Sequence, residues 1–426
     1  MYSYKKPKKN RTWFVILLIV LLPVLAILIY NLPPVNQRLS WRVEYAGIYL
    51  RNVLNPIPPM PTPLPYTPSP ETATPTLVPL TPSPTREQTA TATPTATALP
   101  EQVVLPPPAY ESEDLNNCGP AALAMYLRFY GWEGDQFTIS DEIKPIRADR
   151  NVNVEELLFY AHNHAGWLNT EYRVGGTTLI LRRILASGIP VMIEGSYIVD
   201  KNYWPNDDRW AGHYNLVTGY NDADQTFITQ DVFAGPNKVI SYSDLDREWQ
   251  SFNRVYILLF PPEKQAELQS ILGADWDPDQ NRQNALDIAK TETEKDPENP
   301  FTWFNLGSNQ VYFERYTEAA IAYDTARTTG SPAIEALGNG LPQRMLRYQF
   351  GPFLAYFHSG RTDDLMALTD YALQRTPNSE EALLWQGWGQ YRLGKKAEAL
   401  VSFQKALEAR PGYQDAEYAI NFVQAN

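Results

Sequence analysis

The sequence predicts an α+β domain followed by an all-α superhelix, both placed behind an apolar N-terminal helix and a proline-rich stalk. Three observations carry this. Residues 109–263 read as helices first and strands afterwards, the element order of an α+β fold. Residues 266–426 repeat small and aromatic residues with a 34-residue period. Residues 55–108 hold 17 prolines and 12 threonines in 54 positions.

Taken in order, the chain opens on a basic tail at 1–12 with Lys5, Lys6, Lys8, Lys9 and Arg11. The net charge is −12, so less those five positive charges the remainder stands at −17. An acidic body argues against a nucleic-acid partner. Residues 13–32 are twenty residues without a charge, long enough to span a bilayer as a helix. The basic flank predicts a cytoplasmic N-terminus and extracytoplasmic domains after the span. A cleaved signal peptide is the competing reading. Its apolar core would be unusually long, and no convincing small-x-small site precedes Asn31-Leu32-Pro33-Pro34. Residues 33–54 carry a weak amphipathic pattern, with Ser40 as a cap and Val43, Ala46, Leu50 and Val53 on one face. The stalk at 55–108 cannot bury enough apolar surface to offset its ordering entropy, so it is expected to be disordered and extended. Its upper reach is roughly 170 Å.

The central domain contains the only cysteine of the 426 residues. Cys118 stands at the start of a predicted helix, with Pro120 in the first turn and Gly131 as the stop. A thiol there feels the positive end of the helix dipole, which favours the nucleophilic thiolate. A second helix starts at Asn153, and a third runs from Thr177 to Ala186 and ends at Ser187-Gly188. Ile189 to Ile193 then reads as a buried strand. His213 to Tyr220 and Thr226 to Val232 are strand-like runs on either side of turn residues 221–225, so they form a hairpin. A turn centred near Asp222 or Ala223 sets His213 opposite Asp231 or its neighbours. Opposed side chains share a face, so a carboxylate there orients an imidazole whose other nitrogen is left for a thiol. His162 and His164 diverge on one helix, and a single cysteine with scattered histidines argues against a metal site. Tyr197, Tyr203, Trp204 and Trp210 precede His213, either as a substrate-groove wall or as packing against the sheet.

Asn117-Cys118-Gly119-Pro120-Ala121-Ala122, then Gly188-Ile189-Pro190-Val191, then Gly212-His213-Tyr214 and Asp231 resemble the papain-like bacteriocin-processing peptidases, and more closely the stand-alone C39-like cysteine peptidases. The resemblance covers about 150 residues. It implies a papain-like fold with Cys118 as nucleophile, His213 as general base and acid, and Asp231 as its orienter. The family usually places an oxyanion-binding glutamine five or six residues before the cysteine. Here that zone reads Glu111-Ser112-Glu113-Asp114, and an ionised carboxylate cannot donate a hydrogen bond. Asn116 and Asn117 are the substitutes at hand. Nothing in the chain resembles a transporter, so leader-peptide cleavage is not implied.

In the C-terminal part, Gly387, Ala399, Phe403, Ala406 and Pro411 fall at positions 8, 20, 24, 27 and 32 counted from Glu380. This resembles the tetratricopeptide (TPR) signature, whose small residues let paired helices pack closely. Gly307, Ala319, Tyr323 and Ala326 hold the corresponding positions from Pro300. Such repeats serve either as partner-binding surfaces or as a buttress for the neighbouring domain. The whole reads as a membrane-anchored, extracytoplasmic cysteine peptidase with a TPR domain and no cofactor. It acts on a peptide or protein substrate, with acyl transfer also open to the same residues. The rival is a catalytically inactive surface scaffold.

Overall fold

The computed structural model describes residues 11–32, scattered positions between 35 and 54, and residues 60–66, 98–144, 152–198, 209–329 and 341–426. The first helix, α1 (Arg11–Tyr30), contains Pro23. Its side chains are described only from Leu21 onward, where Leu21 to Ile29 stand exposed. Among the described residues no helix is long and apolar enough to cross a membrane. Val43, Ala46, Leu50 and Val53 are helical and exposed, and Ser40 lies outside the described residues.

Residues 58–202 and 207–426 form one compact unit. It starts earlier than the composition suggested. A strand, β1 (Gln102–Val104), pairs with a later strand through Val103 opposite Tyr220. The Gln102 to Leu105 window is free of proline, so its N–H groups can enter a ladder. Residues 60–66 are likewise seated on the folded unit, through Leu64 N–H donating to Asp364 Oδ1 at 2.9 Å. The spacer expected over 55–108 therefore includes two anchored stretches.

The cysteine helix is α2 (Cys118–Phe129), and Gly119 through Leu127 are all buried, as expected of a helix apolar on nearly every side. Gly131 ends it with a φ of +82°, a conformation that glycine adopts without strain. At the far end, Tyr126 accepts the Leu259 N–H at 2.9 Å and donates to the Pro190 carbonyl, which ties the helix to the sheet. Next come α3 (Gln136–Ile143) and α4 (Val154–His164). Asn153 and Glu156 close a capping box at the start of α4. The strands then follow: β2 (Asn169–Arg173), β3 (Val191–Ile198) after helix α5 (Thr178–Ala186), β4 (Trp210–Asn221), β5 (Thr226–Asp231) and β6 (Gly235–Ser241). After α6 (Tyr242–Gln250) the strand β7 (Tyr256–Phe260) completes the sheet. The order is β2-β7-β3-β4-β5-β6, with β1 added beside β4. All pairs are antiparallel. One core packs Leu181, Leu185, Val191, Val217, Phe227 and Trp249 under this sheet.

The rest is helical: α7 (Gln265–Leu272), α8 (Pro278–Lys295), α9 (Pro300–Tyr312), α10 (Tyr316–Thr328), α11 (Gly351–His358), α12 (Thr362–Arg375), α13 (Glu380–Arg392), α14 (Lys396–Ala409) and α15 (Gln414–Ala425). Gly307 on α9 faces the Tyr323 ring of α10, and Gly387 on α13 faces the Phe403 ring of α14. A Cβ at either glycine would lie under 3 Å from the ring. The equivalent positions of the 34-residue register thus do the same packing work. This half is joined to the sheet half by paired amides. Asn281 exchanges two hydrogen bonds with the Val174 backbone, at 2.9 and 3.0 Å, and Asn253 bonds Asn309 at 2.8 Å.

Candidate active site

The hairpin β4–β5 places the histidine, and a bulge decides how. Asn215 lies opposite Asp231 and Val217 opposite Thr229, with a register shift between Val217 and Gly219. His213 is therefore two residues along from the position facing Asp231, on the same face of the sheet. The diagonal is still bridged: His213 Nε2 lies 3.0 Å from Asp231 Oδ1. The same oxygen accepts the N–H groups of Phe233 at 2.9 Å and Ala234 at 2.8 Å. The strands leave the turn with Asn221 opposite Thr226, and the bulge at Thr218 shifts that register by one residue, which puts His213 and Asp231 on one face as a diagonal pair within the expected range.

The other side of the ring meets the nucleophile candidate. Cys118 is half-buried at the first position of α2, and its Sγ lies within 4.8 Å of a His213 ring nitrogen. His213 is 5 % exposed. Burial alone would depress its pKa, but the hydrogen bonds to Asp231 and Cys118, with the charges of Asp231 and Glu113, hold it well above the usual imidazole range. Burial likewise pushes Asp231 up, and the His213 contact with the two backbone donors outweighs it, leaving the carboxyl below its ordinary value.

A fourth group shares the site. One carboxylate oxygen of Glu113 lies with Cys118 Sγ and a His213 ring nitrogen inside a circle of contacts no wider than 4.8 Å. Glu113 is held there by its backbone, whose N–H donates to the Val232 carbonyl at 2.9 Å. Tyr110 and Ser112 donate to the same stretch, Tyr110 to the Asp231 carbonyl at 3.0 Å and Ser112 to that of Val232 at 3.2 Å. Burial raises the Glu113 carboxyl above its ordinary pKa, more than the facing His213 and Lys144 lower it. A further carboxyl, Glu248 on α6, is pushed up to about 7 by burial. Among the described residues, the Glu113, Cys118 and His213 trio is the one cluster of such side chains close enough to hold a metal ion. A metal there would occupy thiol and imidazole together, so it would replace the thiol chemistry rather than assist it.

The remaining predicted positions divide. The Asn117 side chain is buried and donates to Gln136 Oε1 at 2.9 Å, so it is turned away from the thiol. Asn116 has a φ of +56°, and its Oδ1 accepts from Arg347 at 3.1 Å. Tyr197 stands beside the His213 ring, with centroids 5.7 Å apart, and packs edge-on against Phe233. Trp210, for which a groove wall and packing were both open, is buried at 1 % exposure. It stacks between Phe252 and Phe301, where β4 meets the helical half. Trp204 and Tyr203 lie outside the described residues. Two residues escaped the sequence reading. Glu113 had a signal, five positions before the cysteine, but its burial was invisible. Arg347 had none, being 231 positions from the asparagine it holds.

Residues 101–257 match the model of the Peptidase_C39 like family. None of the curated proteins matches the chain. Among solved structures, one it is similar to is a putative C39-like peptidase from Bacillus anthracis, at 15 % identity and a TM-score of 0.30, covering 38 % of this chain and 98 % of that one. Another is the peptidase domain of Streptococcus ComA, a bifunctional ABC transporter involved in a quorum-sensing pathway. It shows 16 % identity and a TM-score of 0.27, with 36 % of this chain and 96 % of that one covered. A third is a double-glycine-motif protease from an AMS/PCAT transporter in complex with the leader peptide, at 18 % identity and a TM-score of 0.27, covering 37 % and 94 %. The chain carries a C39-like peptidase domain, and the helical half lies beyond the matched residues.

Proposed function

We propose that this chain is a cysteine peptidase acting on peptide substrates through Cys118, His213 and Asp231, anchored to a membrane by its uncharged run at 13–32 with its folded unit outside the cytoplasm. The observation that carries the reading is the position of His213, bonded to Asp231 and with a ring nitrogen within 4.8 Å of the Cys118 sulfur. With Nε2 committed to Asp231, Nδ1 takes the thiol proton. The sulfur attacks the scissile carbonyl carbon, and the oxyanion forms beside the N-terminus of α2, where the Cys118 N–H points outward from the first turn. His213 returns the proton to the departing amine, then takes one from water to hydrolyse the thioester. Asp231 keeps the ring oriented throughout and stabilises it when doubly protonated. The helical half is proposed to be a TPR domain that receives a protein partner or the substrate.

The test is labelling of Cys118 by iodoacetamide across pH 4 to 9 in the full chain, with and without His213→Ala. Labelling already fast at pH 6, and slowed at least tenfold by His213→Ala, is the expected result. Labelling that rises like an ordinary thiol near pH ~8.5 and ignores His213 overturns the reading.

A further inference from the structure

The helical half holds a polar cluster that the thiol chemistry does not use. Arg361 is 6 % exposed and donates to Asp364 Oδ2 through Nε at 3.0 Å and through Nη2 at 2.9 Å. It also donates to Asp324, which accepts the Tyr356 hydroxyl at 2.7 Å. Residues 60–66, Met-Pro-Thr-Pro-Leu-Pro-Tyr, lie across this cluster. Leu64 donates its N–H to the second Asp364 oxygen, and Arg327 donates to the Pro61 carbonyl. The Arg361 guanidinium is sandwiched between the rings of Tyr356, at 4.7 Å, and Tyr66, at 4.9 Å.

We propose that this cluster is a binding site for extended peptides in which proline alternates with other residues, and that the chain's own residues 60–66 are its resident ligand. The contacts fit that class. Alternating prolines fix φ near −65° and hold the backbone extended before binding, so little ordering entropy is lost. Proline has no N–H, so Leu64 supplies the donor that Asp364 receives. Arginine and an aromatic ring read the flanking carbonyl and Tyr66. The proposal names the ligand class for the helical half, and its failure leaves the thiol labelling untouched. A fluorescein-labelled peptide of sequence 60–66 is titrated into the full chain. The resident segment keeps binding weak in the wild type. Leu64→Pro removes the donated N–H, frees the site, and raises affinity for the labelled peptide at least tenfold. Arg327→Ala in that background reverses the gain. A Leu64→Pro chain that binds no better than wild type, or an affinity indifferent to Arg327→Ala, overturns the proposal. Arg327 is only half-buried, so its removal is readable even where Arg361→Ala fails to fold.

A separate observation concerns Glu113, and the inference from it rests on the peptidase reading. We infer that the Glu113 carboxyl donates its O–H as a hydrogen bond to the carbonyl oxygen under attack by Cys118. The carboxyl shares the 4.8 Å neighbourhood of the thiol and the imidazole, and the hydrogen bonds from residues 110–113 to the 231–232 backbone fix it there. A carboxyl that holds its proton is a donor where a carboxylate is only an acceptor, and desolvation favours the protonated form of Glu113. The groups facing it are His213 on β4, Asp231 on β5, Lys144 beyond α3, Asp114 beside it and Cys118 on α2. As the thiolate attacks, the new S–C bond forms and the carbonyl π electrons move to oxygen. Glu113 keeps its proton throughout.

Its pKa is raised, so the proton persists above the ordinary range near 4.5 and is lost as pH climbs. Acylation of the full chain by p-nitrophenyl acetate, which develops an oxyanion, therefore falls on the alkaline side. Glu113→Gln removes that fall and acylates faster than wild type at pH 9. Glu113→Ala acylates on the order of 100-fold more slowly. Iodoacetamide alkylation develops no oxyanion and changes far less in both variants. Glu113→Ala acylating at the wild-type rate, or Glu113→Gln falling with it, overturns the inference. Alkylation indifferent to His213 instead overturns the peptidase reading on which it stands.

Discussion

Two buried polar clusters invite comparison. Around His213 the acids outnumber the cations: Glu113, Asp231 and Glu248 approach one imidazole, and Lys144 is the one lysine among the charges acting on Glu113. Around Arg361 the charges match, with Asp324 and Asp364 both bonded to Arg361 and Arg327 joining through the Tyr356 hydroxyl. Where acids are in excess and water is excluded, protons must be held, and a group that holds a displaceable proton does acid–base chemistry. Where every carboxylate has a guanidinium, the charges stay fixed, and the cluster presents donors and acceptors of constant sign for recognition. Within one compact unit, charge balance separates a reactive centre from a binding centre.

The largest effect expected from breaking this contrast lies at the first cluster. His213→Ala is expected to cost about 10⁴-fold in peptide hydrolysis, roughly 5.5 kcal/mol, measured as kcat/KM on a fluorogenic peptide. Its melting temperature should move little by comparison. The second cluster should respond the other way. Arg361→Ala leaves Asp324 and Asp364 uncompensated, at a cost of about 3–5 kcal/mol in unfolding free energy by urea titration, with Cys118 alkylation preserved below the transition.

The next effect is a pH slope. Glu194 on β3 is fully buried and pushed up to about 8, with burial the main cause and a hydrogen bond from Tyr214 opposing it. The unfolded chain ionises this group near 4.5 while the folded chain keeps the proton, so stability falls as pH rises from about 4.5 toward about 8. Glu194→Gln should flatten that slope and stabilise the protein at pH 8 by on the order of 3 kcal/mol in urea melts. The smallest effect is the control in which the halves behave alike. Asn153→Ala on α4 and Ser379→Ala on α13 each remove a side-chain cap, and each should cost about 1 kcal/mol.

Much of this molecule was readable before any coordinates. The cysteine helix, the Asn153 cap, the helix beginning near Thr177, the turn at 221–225 and the glycine–aromatic register of α9–α10 and α13–α14 are local features. They depend on residues a few positions apart, where periodicity and turn chemistry act directly. What escaped reading depends on burial or on distant partners. The bulge that brings His213 onto the same face as Asp231 turns on one residue, Thr218, which carries no mark in the sequence. Glu113 was passed over because a carboxylate in water is an acceptor, and its desolvation arises from strands more than a hundred residues away. Trp210 could have been a groove or a packing residue from its place before the histidine, and the partners that decide it, Phe301 and Tyr348 of the helical half, lie far along the chain. The stalk's proline content suggested pure spacing, while three of those prolines alternate across the Arg361 cluster.

That seat for residues 60–66 also governs how load travels through the chain. Tension applied from the N-terminal side meets the helical half first, at Asp364 and Arg327, because the chain is tied there before it goes on to β1. The first thing pulled on is therefore the recognition cluster, while the hairpin that carries His213 and Asp231 is shielded from the pull. A detaching force would thus empty the peptide site with Cys118 and its partners still assembled.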